Sequence, residues 1–475
     1  MKKQKFIYER LAEDITNKIS KGIFSAGDKL PTVRKFSSDL GVSINSVLKA
    51  YEKLQDIGVI EAKPQSGFYI RNRVEKTLPE IEVPTLEAKV RNYTSDELVV
   101  NVHELSGIPN LIGLGTGVPD NDILPLKRLS KTLKTIARNH ESAGTMYEFP
   151  PGYYKLRREI SKRATDWSGN ISPDEVIITS GGIEALSLAL RAVAKPGDIV
   201  LTESPTFYLL LKLVNSLGLK ILEAPTHPRH GIEINVLKRL IKEHNIATCV
   251  LYPTINNPLG SIMPEENRQK IFDIFSSKEI PIIEGDIWGD MCFNSIRPKP
   301  LKSMDEKGLV LYFSSFSKTG APGYRTGWIC PGRYYKKVKD LKYTSSIATA
   351  TLPQVVLAEY IKSGGYDKGI NSLKSIYSLR LSMLYEFVSE YFPNGTKLAK
   401  PRGGVFLWVE LPKGIDSIKL QEFALKRNIT INPGPLFSTT NNFSNYIRLN
   451  CVCPWINREI EEAVKTLGNL CRQFF

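Results

Sequence analysis

From about residue 106 onward the chain alternates short apolar runs with amphipathic ones, and this alternation constrains the fold more than any other feature. Residues 175–179, 199–202, 248–252, 280–283 and 309–313 read as strands, with a helical run at 184–194 between the first two. Strands separated by helix-length connections cannot pair through tight hairpins, so they lie parallel with the crossovers covering both faces. The expectation is an α/β body built on a mostly parallel sheet. At 475 residues the chain is too long for one ordinary core, and further domains are expected.

One stretch of this body carries chemistry: Ser314-Ser315-Phe316-Ser317-Lys318-Thr319-Gly320-Ala321-Pro322-Gly323-Tyr324-Arg325. It sets a lysine among hydroxyls and glycines, with an arginine seven residues on. A neutral amine can form a Schiff base with a phosphorylated aldehyde such as pyridoxal 5'-phosphate, while small hydroxyls and a guanidinium suit its dianionic phosphate. Three strand-end turns add to the case. Thr179-Ser180-Gly181-Gly182-Ile183-Glu184-Ala185 opens a helix, where free N–H groups face an anion. Glu203-Ser204-Pro205-Thr206-Phe207-Tyr208 puts an aromatic where it can stack on a pyridine ring. Asn256-Asn257-Pro258-Leu259-Gly260 offers an amide donor on a tight turn. Taken singly, each is equally a turn or a core contact.

Residues 1–72 read as a separate block. Ile7, Leu11, Ile15 and Ile19 mark a first helix, Val33, Phe36 and Leu40 a short second one, and Val47, Ala50, Leu54 and Ile57 a third. Gly41 stops the second helix and Ser43 caps the third. Two short strands around Lys63-Pro64-Gln65-Ser66 complete a winged helix-turn-helix. Residues 1–76 hold 15 Lys/Arg against 9 Asp/Glu, which suits phosphate contact. A recognition helix starting at Ser43 directs Ser43, Asn45, Ser46 and Lys49 to the major groove. Arg34 can clamp the backbone, and Lys63, Ser66 and Gly67 form the wing. Residues 73–105, broken by Pro79 and Pro84, read as a linker.

The net charge of +15 agrees with a phosphate-rich partner without proving one. Six cysteines lack paired CxxC spacing, so neither a disulfide framework nor a metal site is expected. No apolar run approaches the length needed to cross a membrane, and a cytoplasmic location is expected.

The N-terminal block resembles the GntR family in Leu30-Pro31-Thr32, Arg34, Gly41-Val42-Ser43 and Ser66-Gly67. It departs at Ile44, where many members carry arginine. The order of the strand-end turns and of Lys318 resembles fold-type I aminotransferases over about residues 106–475. The whole chain resembles the MocR subfamily of GntR regulators, with a large domain at 106–350 and a small one at 351–475. The resemblance implies pyridoxal 5'-phosphate as an aldimine on Lys318, with Ser315, Arg325 and the amides of Gly181 and Gly182 on its phosphate. It implies Phe207 stacked on the ring, Asn257 on the phenolic oxygen, Arg448 on an effector carboxylate, and Tyr147 reaching the partner's phosphate in a homodimer.

Where the family places the aspartate that pairs with the ring nitrogen this chain has Gly285, and Trp288 stands for the tyrosine that follows. Asp286 lies one residue off, on the opposite face unless a bulge or loop redirects it. A carboxylate raises that nitrogen's pKa and makes the ring an electron sink. Its displacement favours a DNA-binding regulator that senses an amine or amino acid over an active aminotransferase with a DNA tether. A regulator that has lost the cofactor is the third reading.

Overall fold

The computed structural model describes residues 7–20, 23–25, 27–56, 59–63, 66–70, 78–83, 88–94, 96–105, 108, 110–115, 117–139, 141–167, 169–293 and 297–474. The N-terminal block contains α1 (Ile7–Ser20), α2 (Val33–Leu40), α3 (Ile44–Asp56) and the hairpin of β1 (Ile60–Lys63) with β2 (Gly67–Ile70). Thr32 caps α2 by accepting from the Lys35 N–H at 3.3 Å. Gly41 ends that helix at φ 61°, a conformation that a Cβ would strain. Leu11, Ile15, Val47, Ala50, Tyr51, Leu54, Ile60 and Ile70 form the core of the block. Ile7, expected on the apolar stripe of α1, is exposed. Ile57 and Gln65 lie outside the described residues.

The body contains a nine-stranded sheet, formed from β3 (Val90–Arg91), β4 (Ile177–Thr179), β5 (Ile199–Ser204), β6 (Lys220–His227), β7 (Gly231–Ile232), β8 (Ile246–Leu251), β9 (Ile282–Gly285), β10 (Val310–Ser315) and β11 (Gly327–Cys330). The order is β3-β6-β5-β8-β9-β10-β11-β4, with β7 on β6. The pairs β6–β5, β5–β8, β8–β9 and β9–β10 are parallel, as the strand and helix alternation requires; β11 and β3 run antiparallel to their neighbours. The central strands β8 and β9 carry apolar residues on both faces, Cys249, Leu251 and Ile282 in one core cluster and Val250 and Ile283 in another.

The stretch expected to be a linker differs from that reading in its described residues. Val90–Arg91 pairs with β6, Asp96–Leu105 is helical, and Leu78, Ile81 and Tyr93 are buried in the body's core. The hydroxyl of Tyr93 also donates to the Leu436 carbonyl at 2.9 Å. Apolar residues spaced by prolines carry no period, so their burial left no mark in the pattern.

Beyond residue 350, Thr351–Lys362 packs against Tyr154–Ala164 and Leu126–Asn139. The 27-residue helix Gly365–Tyr391 then leads to an antiparallel sheet of β12 (Lys397–Leu398), β13 (Phe406–Glu410), β14 (Asn432–Pro433) and β15 (Tyr446–Asn450), in the order β12-β13-β15-β14. One core cluster joins Leu201 and Leu251 of the large sheet to Leu407 and Leu449 of the small one, so the two parts share their apolar interior.

Candidate functional site

In parallel sheets ligands sit beyond the carboxyl ends of the strands; the candidate cofactor residues of the body other than Tyr147 follow such ends, except Arg325, which precedes the amino end of the antiparallel β11. β4 ends at Thr179, and Gly181 turns the chain at φ 87° so that Gly182 opens the helix Gly182–Val193. A Cβ on Gly181 would stand 2.7 Å from the Arg325 guanidinium, so only glycine lets that cation close over the turn. Arg325 Nη1 donates to Ser317 Oγ at 3.1 Å, and Ser315 Oγ lies 3.1 Å from the same oxygen. A Cβ built on Gly182 would lie 3.5 Å from that of Ser315. Helix N–H groups, two hydroxyls and a guanidinium thus converge, the donor set a phosphate dianion requires. Ser317 was not among the expected residues, although its place one before the lysine in a hydroxyl run was visible.

Lys318 stands beside this cradle. Its ammonium donates to the Gly117 carbonyl. Burial, then the positive charges of Arg448 and Arg325, pull its pKa down from 10.5 to about 8. A measurable share of the amine is therefore neutral near neutral pH, which is the form that attacks an aldehyde.

Arg448, on β15, is buried, and burial lowers its pKa to about 10. Its guanidinium reaches Asn257 Oδ1 at 3.0 Å and the Gly115 carbonyl at 2.9 Å, and it lies 4.8 Å over the Phe406 ring and 5.1 Å over that of Phe437. Among the described residues its Nε has no hydrogen-bond partner. A cation held this way is poised for a carboxylate. Asn257 accepts with its oxygen, which leaves its amide N–H groups to donate. Phe207 sits just past β5, half-buried, as the residue before the helix Tyr208–Ser216. Tyr147 is 70% exposed and stacks on Phe149 at 5.5 Å, away from the chain's own interior.

The ring-nitrogen end has a different construction. Asp286 keeps the strand alternation and turns to the face opposite Gly285. Its Oδ2 accepts from Arg297 at 2.5 Å and from the Tyr312 hydroxyl at 2.6 Å. No bulge rescues it, because the β9–β10 register runs unbroken to Phe313 opposite Gly285 and the Asp286 N–H continues onto the Phe313 carbonyl. The side chain borders a cavity of about 30 Å³ with Arg297, Asp290, Arg163, Trp167 and Tyr366. Trp288 packs edge-on to Phe406 at 5.2 Å within the core. The volume in front of Gly285 holds the ring of Tyr252, whose backbone N–H donates to the buried Glu203 at 2.7 Å. Burial lifts Glu203 to about 7 against that N–H and the Asn256 amide.

In the N-terminal block Arg34, Ser43, Asn45 and Lys49 are exposed and Ser46 is half-buried. Ser43 Oγ accepts from the Ser46 N–H at 3.1 Å, which caps α3 as expected. Ile44 is 51% exposed beside them. On the hairpin the Lys63 ammonium lies 4.6 Å over the Tyr69 ring, and Ser66 shares a 2.7 Å hydrogen bond with the Tyr69 hydroxyl. Gly67 begins β2 beside them.

Comparison with known proteins gives the same two parts in the same order. The family described as bacterial regulatory proteins, gntR family, matches residues 7–70, and aminotransferase class I and II matches residues 109–467. The chain belongs to the MocR subfamily of GntR regulators. Uncharacterized HTH-type transcriptional regulator YjiR of Escherichia coli (strain K12) is 33% identical over 464 residues, covering 97% of this chain and 98% of its own. Aromatic-amino-acid aminotransferase 1 of Thermococcus litoralis is 28% identical over 84% of this chain and 99% of its own. Among solved structures, kynurenine aminotransferase of Pyrococcus horikoshii, crystallised with PMP, superposes with a TM-score of 0.74 at 29% identity, over 80% of this chain and 95% of that one. The MocR body is thus of the fold-type I aminotransferase class.

Proposed function

We propose that this chain is a homodimeric transcription regulator that binds duplex DNA through its N-terminal block and senses an amine or amino acid through pyridoxal 5'-phosphate on Lys318. The observation that carries the reading is Lys318 itself: an enclosed amine with its pKa lowered, next to a built anion cradle and a buried, carboxylate-ready Arg448. The cofactor supplies an electrophilic carbon that an amine can capture. Around it Gly181, Gly182, Ser315, Ser317 and Arg325 bind the phosphate, Phe207 covers the ring, and Asn257 donates toward the phenolic oxygen. Arg448 then selects effectors that carry a carboxylate.

Dimerisation is supported by an exposed apolar group around Tyr147: Met146, Phe149, Tyr154, Tyr343 and Ile347. These residues are neighbours, because Thr351 Oγ1 donates to the Met146 carbonyl at 2.7 Å and Tyr343 donates to that of Pro150 at 3.4 Å. A patch of this kind is expected to be covered in solution. Effector capture that altered the subunits' pose would change the spacing of the two winged helices and so the fit to a two-half-site operator.

The test is a visible spectrum of the purified protein given pyridoxal 5'-phosphate, alone and with a panel of amines and amino acids. A band that shifts with particular amino acids, together with an operator affinity that shifts with the same ones, supports the reading. A protein that takes up no cofactor sinks the sensing half. DNA binding that is indifferent to salt and to Arg34→Ala sinks the other half.

A further inference from the structure

Tyr252 and Gly285 occupy one volume between them. They follow each other across neighbouring parallel strands, since Leu251 pairs with Glu284 at the ends of β8 and β9. A Cβ added at 285 would stand 2.2 Å from Tyr252 Cε1, 2.6 Å from its Cδ1 and 2.9 Å from Phe313 Cζ. The site therefore accepts either a side chain at 285 or an aromatic ring at 252.

That ring is on the cofactor side of the sheet. Phe313 and Ser315 share the face of Gly285, and a Cβ on Gly182 would reach Phe313 at 3.8 Å as well as Ser315. Phosphate cradle, Phe313 and Tyr252 thus form one continuous wall, while Asp286 is tied to Arg297 on the opposite face. Tyr252 is only 7% exposed and meets Phe313 edge-on at 6.4 Å. Its backbone is pinned by Glu203, and among the described residues its hydroxyl has no hydrogen-bond partner.

We propose that Tyr252 takes the place of the missing carboxylate, its hydroxyl donating a hydrogen bond to an unprotonated pyridine nitrogen. The proposal rests on the cofactor reading above. A carboxylate beside that nitrogen favours the pyridinium by charge attraction. A phenol carries no charge to offer, and burial, followed by the nearby Glu203 carboxyl, raises its pKa further, so it stays a donor and stabilises the neutral ring. A neutral ring withdraws electrons weakly from a substrate carbon, yet capture of an amine at the carbon next to Lys318 needs no charge on the nitrogen. Tyr252 thereby separates effector capture from turnover.

The test uses the full chain loaded with pyridoxal 5'-phosphate labelled with ¹⁵N in the ring, read by ¹⁵N NMR. The wild-type resonance is expected in the range of a neutral, hydrogen-bonded pyridine. Tyr252→Phe, which removes one oxygen from a packed ring, moves it toward a bare pyridine, and Tyr252→Val with Gly285→Asp moves it to the pyridinium range. A wild-type resonance already at the pyridinium position, or one that Tyr252→Phe leaves in place, overturns the proposal while the cofactor reading stands. Folded wild-type protein that retains no label overturns both.

Discussion

The two ends of the candidate site were built under different constraints. The phosphate end brings a glycine turn, two hydroxyls and an arginine into contact with one another, with Lys318 near enough to feel the charge of that arginine. At the expected ring-nitrogen end Gly285 stands where the aminotransferase pattern has a carboxylate, and a tyrosine ring fills the space. On the proposed reading, holding the cofactor and activating it are separable, and the parts assembled in this chain serve the first.

The largest effect is expected at the end that has been kept. Lys318→Ala should abolish borohydride-stable incorporation of the cofactor; incorporation that persisted would place the linkage on another amine. Arg325→Ala removes charge-assisted hydrogen bonds of about 1.5–3 kcal/mol, so cofactor affinity should fall roughly 10- to 100-fold in a titration of the apoprotein. At the other end Gly285→Ala forces a Cβ into the Tyr252 ring and should cost about 1–3 kcal/mol in denaturant unfolding. In a Tyr252→Ala background, where the ring is already gone, the same Gly285→Ala change should cost far less, and if its cost is unaltered, the two positions do not share a volume.

Smaller shifts sharpen the contrast. Because only the neutral Lys318 amine reacts, covalent capture should rise with pH through about 8 and level off above it. Arg448→Gln takes away a positive neighbour, so the Lys318 pKa rises and that midpoint moves up, by well under the full distance to 10.5 because burial, the larger cause, remains. In the N-terminal block Ile44→Arg should steepen the salt dependence of DNA binding by about one phosphate contact, measured by anisotropy over a salt series.

Legibility in the sequence followed sequence distance. Gly181, Gly182, Ser315, Lys318 and Arg325 lie in two short segments whose turn chemistry exposes them, and the winged helix follows from helical spacing and two caps. Alternation along β9 already implied that Asp286 would face away from Gly285, and it does. Tyr252 was hidden because it lies 33 positions before Gly285, and only strand pairing brings the two together. A large aromatic ending one strand where the next ends in glycine was the available signal. Residues 73–105 read as a linker although Leu78, Ile81 and Tyr93 pack onto the body, because scattered apolar residues added to an existing core need no period of their own.

The account depends on Lys318 as the point of attachment, and the most direct measurement is borohydride reduction of the cofactor-treated protein followed by peptide mass spectrometry. The account predicts that the reduced cofactor mass appears on the peptide containing Lys318 and disappears when a binding amino acid is added first. Unmodified Lys318, or label spread over surface lysines, would contradict it.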